Sequence, residues 1–392
     1  MDTFLGTELF GKKLVSPVLL GSGTLIEKFE DISPYVDAGI GGVVPRTTRK
    51  ILRRQTHPVP HLYQTDRKKF ANLINAEWTG ASIDYWRPYL DGMSGSEKVV
   101  MSVSGRDIDE CIEVCRELDR YEGWLYFEIN VSCAHSNNVH GYINKDKAHV
   151  EKLCTKLRAS ALNTPIAIKF GHSEYVLELA KIVEKCGIKG IVLLNTYGPV
   201  FDFSIEKGRP EAIVGIEGSM GGLSGSAIFN IALTDVALIR SETNLEIVGC
   251  GGVYGYEQVV KFLMAGASAV QVYTAAHLKG VNGPSVIRKI NSELSEYIKL
   301  HRYGSVGELG GLALKLLENR TNMKVVVPAV DTSTCIGCNL CVPICLPGAI
   351  APIKVNDSGN SVVAIDEEKC VGCGHCVHVC PTRPNSLSMF IS

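Results

Sequence analysis

Surplus charge of either sign is almost absent from this 392-residue chain, which carries 40 Lys and Arg against 41 Asp and Glu. With no basic excess to neutralise a phosphate backbone, nucleic acid is excluded as the principal partner, and the local run TTRKILRR reads as a solvated loop. Long apolar runs are missing as well, so no segment is expected to span a membrane. The first residues, MDTFLGTELFGKKLV, lack the basic start, continuous apolar centre and small-residue cleavage site of a signal peptide. Nor does any G-x-G-x-x-G follow a strand, so a Rossmann nicotinamide site is not evident. Together these absences predict a cytoplasmic protein.

Cysteine, by contrast, is plentiful. In a reducing compartment 14 cysteines are poor candidates for structural disulfides, and their spacing is first read for metals. Eight of the 14 lie between Cys335 and Cys380, which marks a change of domain. Upstream, short β-branched and aliphatic runs recur: VLLGSG, GGVVPRT, VVMSVS, YFEINVSC, IAIKF, GIVLLN, EIVGCGG and AVQVYTA. Continuous rather than alternating apolar runs indicate strands covered on both faces, and Asp109 to Tyr121 and Tyr175 to Cys186 suit the intervening amphipathic helices. Eight βα units predict an α/β fold, a TIM (β/α)8 barrel, over residues 1–302. Two spacings exceed one helix, Thr47 to Lys98 and Thr196 to Ser224, and are expected as insertions on the C-terminal face that can cover a ligand. A connecting segment, 303–330, holds one expected helix in VGELGGLALKLLENR, and residues 331–392 form the cysteine domain.

The cysteine domain repeats one pattern, C-x2-C-x2-C-x3-C, in CIGCNLCVPIC and CVGCGHCVHVCP. Three thiolates in a tight loop grip one 4Fe-4S cube while the fourth reaches the other. Cys335, Cys338, Cys341 and Cys380 are therefore expected on one cluster, and Cys370, Cys373, Cys376 and Cys345 on the second, in a bacterial-type 2[4Fe-4S] ferredoxin-like domain. Zinc is disfavoured because neither group shows the longer gap between ligand pairs of a tetrahedral site. His375 and His378 are left as surface residues.

Such clusters carry single electrons, and the barrel needs a group to receive them. Glycines in GGLSG (Gly221 to Gly225) and GCGGVYG (Gly249 to Gly255), with Tyr273 and Thr274 of VYTA, fall where this fold closes backbone amides on a phosphate. Gly225, Gly251 and Gly252 are the candidate phosphate contacts. A phosphate-bearing redox group that exchanges both single electrons and hydride points to flavin mononucleotide, FMN.

In order and wording, PVLLGSGT, INAEW, EINVSCAH, IAIKF, LLNT, GGLSG, GCGG and QVYTA resemble the flavin barrel shared by dihydroorotate dehydrogenases and dihydropyrimidine dehydrogenase. With its two-cluster tail the chain resembles the FMN and iron-sulfur subunit of bacterial two-subunit NAD-dependent dihydropyrimidine dehydrogenase. The resemblance implies that Asn130 binds substrate and flavin and that Cys133 exchanges a proton at C5 of a pyrimidine ring. It further implies that Ser22 contacts the flavin, that Lys169 lies beside its N1 and C2 carbonyl, and that Asn75, Glu77, Asn195 and Thr196 contact substrate. Arg46, expected as a further cofactor contact, stands where a lysine is usual in a K-T-x-T-like segment, Ala134 replaces a proline after the cysteine, and His135 to Lys145 depart from the expected glycine-rich loop. These departures bear on substrate identity.

The expected activity is reduction or formation of the 5,6 double bond of uracil or thymine, with electrons passing through the clusters to an FAD- and NAD(P)H-binding partner subunit in a homo- or hetero-oligomer. Dihydroorotate oxidation, reduction of another cyclic enamide, and a non-catalytic electron-transfer role are the alternatives.

Overall fold

A computed structural model describes residues 4–50, 62–64, 73–75, 80–90, 98–132, 146–201, 205, 220–318, 325–354 and 361–389. The chain divides into two compact units, Met1–Lys315 and Leu316–Ser392.

In the first unit each of the eight apolar runs forms a parallel strand. They are β1 (Val18–Leu20), β2 (Gly42–Val43), β3 (Met101–Val103), β4 (Phe127–Asn130), β5 (Ile166–Phe170), β6 (Gly190–Leu193), β7 (Glu246–Cys250) and β8 (Ala269–Val272). Neighbours run in the order β2-β1-β8-β7-β6-β5-β4-β3. A parallel bridge between Val43 and Val99 closes the ring. A helix follows every strand: α1 (Ser33–Asp37), α2 (Ile83–Leu90), α3 (Ile108–Leu118), α4 (Lys147–Ala159), α5 (Val176–Lys185), α6 (Phe229–Glu242), α7 (Tyr256–Met264) and α8 (Gly283–Leu300). Three of these helices start on side-chain caps: Ser82 accepts from the Tyr85 amide of α2, Asp107 from the Glu110 amide of α3, and Asp146 from the His149 amide of α4. Three cysteines outside the tail, Cys111, Cys115 and Cys154, are buried on the inner faces of α3 and α4 and pack as small hydrophobes.

Side chains two residues apart share a strand face, and inside the barrel this sorts them into layers. One layer is apolar: Leu19, Val44, Val100, Ala167, Val192, Val248 and Ala269 pack around Tyr126, all buried. At the N-terminal mouth the hairpin of Thr7–Leu9 and Lys12–Leu14 seals this layer, with the Phe10 ring 5.0 Å from that of Tyr126. The Phe10 amide donates to the Glu246 carboxylate at 3.0 Å. Gly190 leaves room for the Phe10 ring, which a Cβ there would meet at 2.4 Å. Two residues further along their strands the interior turns polar, with Glu128, Lys169 and Gln271.

Both long insertions leave from the C-terminal ends of strands and join each other. Tyr197–Phe201 pairs with Met220–Ser224, which pairs with Leu73–Asn75, which pairs with Leu62–Gln64, all antiparallel. One sequence expectation is corrected: no single helix runs through VGELGGLALKLLENR. A 3-10 turn at Val306–Leu309 and a short helix at Lys315–Glu318 are separated around Gly310 and Gly311. Gly311 takes φ +76°, and its amide donates to the Leu263 carbonyl at 3.1 Å, so this stretch is pinned to the end of α7.

The second unit is built on two antiparallel pairs, Ala329–Val330 with Leu387–Ser388 and Ile350–Lys354 with Ser361–Ile365. A short helix, His375–Val379, completes it, around a small core of Cys341, Ile350, Val363, Cys376 and Leu387. Among the described residues no helix is long and apolar enough to cross a membrane.

Candidate functional site

At the C-terminal ends of the strands a cleft of about 500 Å³ opens in the barrel. Ser22 after β1, Lys169 of β5, and Asn195 and Thr196 after β6 line it, as do Gly225, Gly251, Gly252, Tyr273 and Thr274. Segments far apart in sequence meet here because each follows a strand of one closed ring.

One wall is an anion cradle. Gly251 and Gly252 take φ of +119° and +72° at the end of β7. A Cβ on Gly252 would lie 2.8 Å from the backbone nitrogen of Phe229, the first residue of α6. Only glycine lets the loop lie this close to the helix N-terminus, where the helix dipole favours a phosphate. Thr274 donates from Oγ1 to Ser224 Oγ at 2.9 Å and so ties the start of the short helix after β8 to the residue preceding Gly225. Tyr273 braces the loop after β1: its hydroxyl accepts from the Thr24 amide at 2.9 Å and lies 3.1 Å from His277 Nδ1.

The opposite wall is a lattice of amides. Asn195 Nδ2 donates to Asn130 Oδ1 at 3.1 Å, and Asn130 Nδ2 donates to Thr47 Oγ1 at 3.3 Å. Thr47 is also 3.0 Å from Ser102 Oγ. The Thr196 amide donates to Asn195 Oδ1 at 2.8 Å, which fixes the Asn195 side chain. Asn130, which is not itself among the residues lining the cleft, is thus held beside Asn195 by residues from two other segments.

Lys169 is 4% exposed, with Nζ 3.0 Å from both Glu128 Oε1 and Gln271 Oε1. Burial opposes its charge, but the Glu128 carboxylate beside it, joined at alkaline pH by the Cys250 thiolate, outweighs that effect and holds its pKa above the ordinary lysine value. Burial pushes the Cys250 thiol up, with Lys169 acting the other way.

Arg46 lies outside the lining of this cleft. Its Nη2 is 3.4 Å from Glu27 Oε2, its guanidinium carbon sits 5.6 Å from the centre of the Tyr85 ring, and its Nε is buried without a hydrogen-bond partner among the described residues. Ser22 donates its hydroxyl to the Pro45 carbonyl at 2.8 Å, leaving its lone pairs to face the cleft. Cys133 and Glu77 lie outside the described residues. Asn75 is described only as backbone, paired with Gly222. Sequence reasoning missed Glu128, Gln271, Cys250, Ser224 and Thr47. Glu128 and Gln271 did carry a signal, each being a polar residue in the middle of an otherwise apolar strand.

In the second unit the eight tail cysteines sort into two cavities. Cys335, Cys338, Cys341 and Cys380 line one of about 330 Å³. Cys345, Cys370, Cys373 and Cys376 line the other, of about 340 Å³. The last cysteine of each run thus faces the cavity built by the other run. Among the described residues no three His, Cys, Asp or Glu side chains converge as a site for one metal ion. The thiols instead ring a space, as a cubane cluster requires. Gly337 and Gly372 hold the same place in the two runs and take φ of +63° and +68°, so the sequence repeat is also a backbone repeat. His375 and His378 are exposed.

Comparison with known proteins agrees with this geometry. The dihydroorotate dehydrogenase family matches residues 4–298, and a 4Fe-4S dicluster domain matches residues 334–383. Among curated relatives, the dihydroorotate dehydrogenase B (NAD(+)) catalytic subunit of Pyrococcus furiosus is 29% identical over 312 residues, covering 79% of this chain and 98% of the relative. Its Thermoplasma acidophilum counterpart is 28% identical over 314 residues, 79% of this chain and 99% of that one. Dihydroorotate dehydrogenase A (fumarate) of Limosilactobacillus reuteri is 29% identical over 303 residues, 76% and 94% of the respective chains. The cradle fits the phosphate of FMN, and the two thiol-lined cavities fit two 4Fe-4S clusters. The chain therefore belongs to the dihydroorotate dehydrogenase family, as a flavin oxidoreductase of the CH-CH class with FMN and two 4Fe-4S clusters as its cofactors.

Proposed function

We propose that this protein forms or reduces the 5,6 double bond of a neutral pyrimidine base, uracil or thymine, and exchanges the electrons with an FAD- and NAD(P)H-binding partner subunit through its two clusters. The observation that carries the substrate assignment is electrostatic. Among the described residues, the cation that lines the cleft, Lys169, faces Glu128, and Arg46, outside that lining, faces Glu27. A site whose positive charge is already matched favours a substrate without a carboxylate of its own. Glu77, two residues after Asn75, supports the same reading, since a carboxylate accepts from a ring N-H and repels an anionic substrate.

In this reading Gly225, Gly251, Gly252 and Thr274 hold the cofactor phosphate, and Ser22 and Tyr273 flank the bound group. Bound FMN supplies a centre that exchanges hydride with substrate and single electrons with clusters. Asn130, Asn195 and Thr196, with Asn75, orient the ring amide edge. Cys133 gives or takes the C5 proton at Sγ; it follows Ser132, whose hydroxyl donates to the Lys169 carbonyl at 3.3 Å. Cys335, Cys338, Cys341 and Cys380 hold one cluster, and Cys345, Cys370, Cys373 and Cys376 the other.

Dihydroorotate is a second reading, favoured by the buried, unpartnered Nε of Arg46, which can donate to a carboxylate, and by the activity that the relatives' names state. Anaerobic flavin absorbance titrations and turnover with uracil, thymine, dihydrouracil, orotate and dihydroorotate separate the two. Faster turnover of orotate or dihydroorotate than of the neutral bases would replace the first reading with the second. Turnover of neither would return the barrel to electron transfer alone.

A further inference from the structure

Below the cleft, three strands contribute one closed polar network. Lys169 of β5 has three N-H groups to place. Glu128 of β4 and Gln271 of β8 each offer a side-chain oxygen 3.0 Å from its Nζ. Gln271 is fixed in turn, because its Nε2 donates to the other Glu128 oxygen at 2.6 Å and to the Tyr126 hydroxyl at 3.3 Å. Glu128 is wholly buried, at 0% exposure. Two of the ammonium N-H groups are therefore drawn sideways within the barrel, which leaves one for the cleft that Lys169 lines.

We propose that Glu128 and Gln271 are positioning residues that fix the Lys169 ammonium with one N-H toward the bound flavin and cancel most of its field, so that the flavin faces a compensated ion pair and not a bare cation. The inference rests on the flavin occupying this cleft and is independent of which pyrimidine is turned over. Burial is the largest single influence on Lys169 and works against its charge. The other ionisable groups around the network, Tyr126 just before β4 and Cys250 of β7, are both pushed up by burial and stay neutral at physiological pH. Glu128 is thus the group that keeps Lys169 charged. Without it, the lysine is a buried cation with only neutral partners, and its pKa falls.

The test is an anaerobic redox titration of the full-length holoenzyme from pH 6 to pH 9, followed by flavin absorbance with no pyrimidine present. Reduced flavin is the more negative form, so an uncompensated cation favours it. Glu128→Gln at pH 6 is expected to shift the flavin equilibrium at least tenfold toward reduction, about 30 mV upward for a two-electron couple. The shift should shrink toward pH 9 as Lys169, now governed by burial, loses its proton. Glu128→Asp keeps the carboxylate and should stay within about threefold of wild type. In a Lys169→Met background Glu128→Gln should add nothing, because Glu128 acts through the lysine. An unchanged or lowered potential for Glu128→Gln at pH 6, or the same shift in both backgrounds, overturns the proposal. Should Glu128→Gln not fold, Gln271→Glu carries the test with the opposite sign: a second carboxylate must lower the potential at pH 9, and an unchanged or raised value overturns it. Retention of flavin by Gly252→Ala is a different failure, one of the cleft assignment itself.

Discussion

Cys133 and Lys169 show how unevenly single residues are legible. The chemistry expected of Cys133 comes from its place after EINVS, at the end of a strand, and from eight other cysteines being committed to clusters. Cys133→Ala should keep FMN and substrate binding and lose about two to four powers of ten in turnover, the usual effect of removing a general acid or base. Stopped-flow reduction of the flavin by dihydropyrimidine checks this, and wild-type rates would return the cysteine to packing. Lys169 could be singled out from IAIKF alone, as a charge in an apolar strand. Its two partners could not be paired with it, because Glu128 is 41 residues and Gln271 102 residues away and only ring closure brings β8 to face β4 and β5. Arg46 marks the limit in the other direction. Its position before Thr47 suggested a cofactor contact, yet its side chain runs to Glu27 and over Tyr85, a choice made by tertiary packing.

At the scale of elements, strands read best. All eight stood out because a parallel strand covered on both faces must be apolar along its length, which leaves a signal independent of its neighbours. The pairing of the two insertions was not legible, since short antiparallel segments from distant parts of the chain share no local pattern. The expected helix after residue 305 fails for a local reason: consecutive glycines, one at φ +76°, end the turn before it can propagate. Glycine at the end of β7 has the opposite value and makes a site by allowing a close approach. Gly252→Ala sets a methyl group 2.6 Å from the Phe229 Cβ and 2.8 Å from its backbone, in a left-handed conformation. Backbone strain alone costs about 1–3 kcal/mol there, so FMN affinity should fall tenfold or more. The ratio of bound flavin to protein after gel filtration measures this, and stoichiometric flavin would mean that the phosphate lies elsewhere.

For the whole molecule, two units with separate cores imply separable defects. Cys338→Ser should lower the iron content from eight per chain while leaving FMN in place, as read by iron and flavin analysis of anaerobic preparations. The isolated chain should oxidise NADH poorly but reduce one-electron dyes when given a dihydropyrimidine, and an FAD-containing partner should restore the NADH reaction. Rapid NADH oxidation without that partner would mean that the chain itself holds a nicotinamide site. The hairpin that closes the N-terminal mouth carries a consequence of its own. With Phe10 and the apolar layer beneath it, the barrel is a cup and not a pipe, and water can reach Glu128, Lys169 and Gln271 only over the rim. Whatever fills the cleft is therefore also the stopper: as it seats, it dries the ion pair below and strengthens every interaction there. The floor of the site is tuned by its occupant as much as the occupant is tuned by the floor.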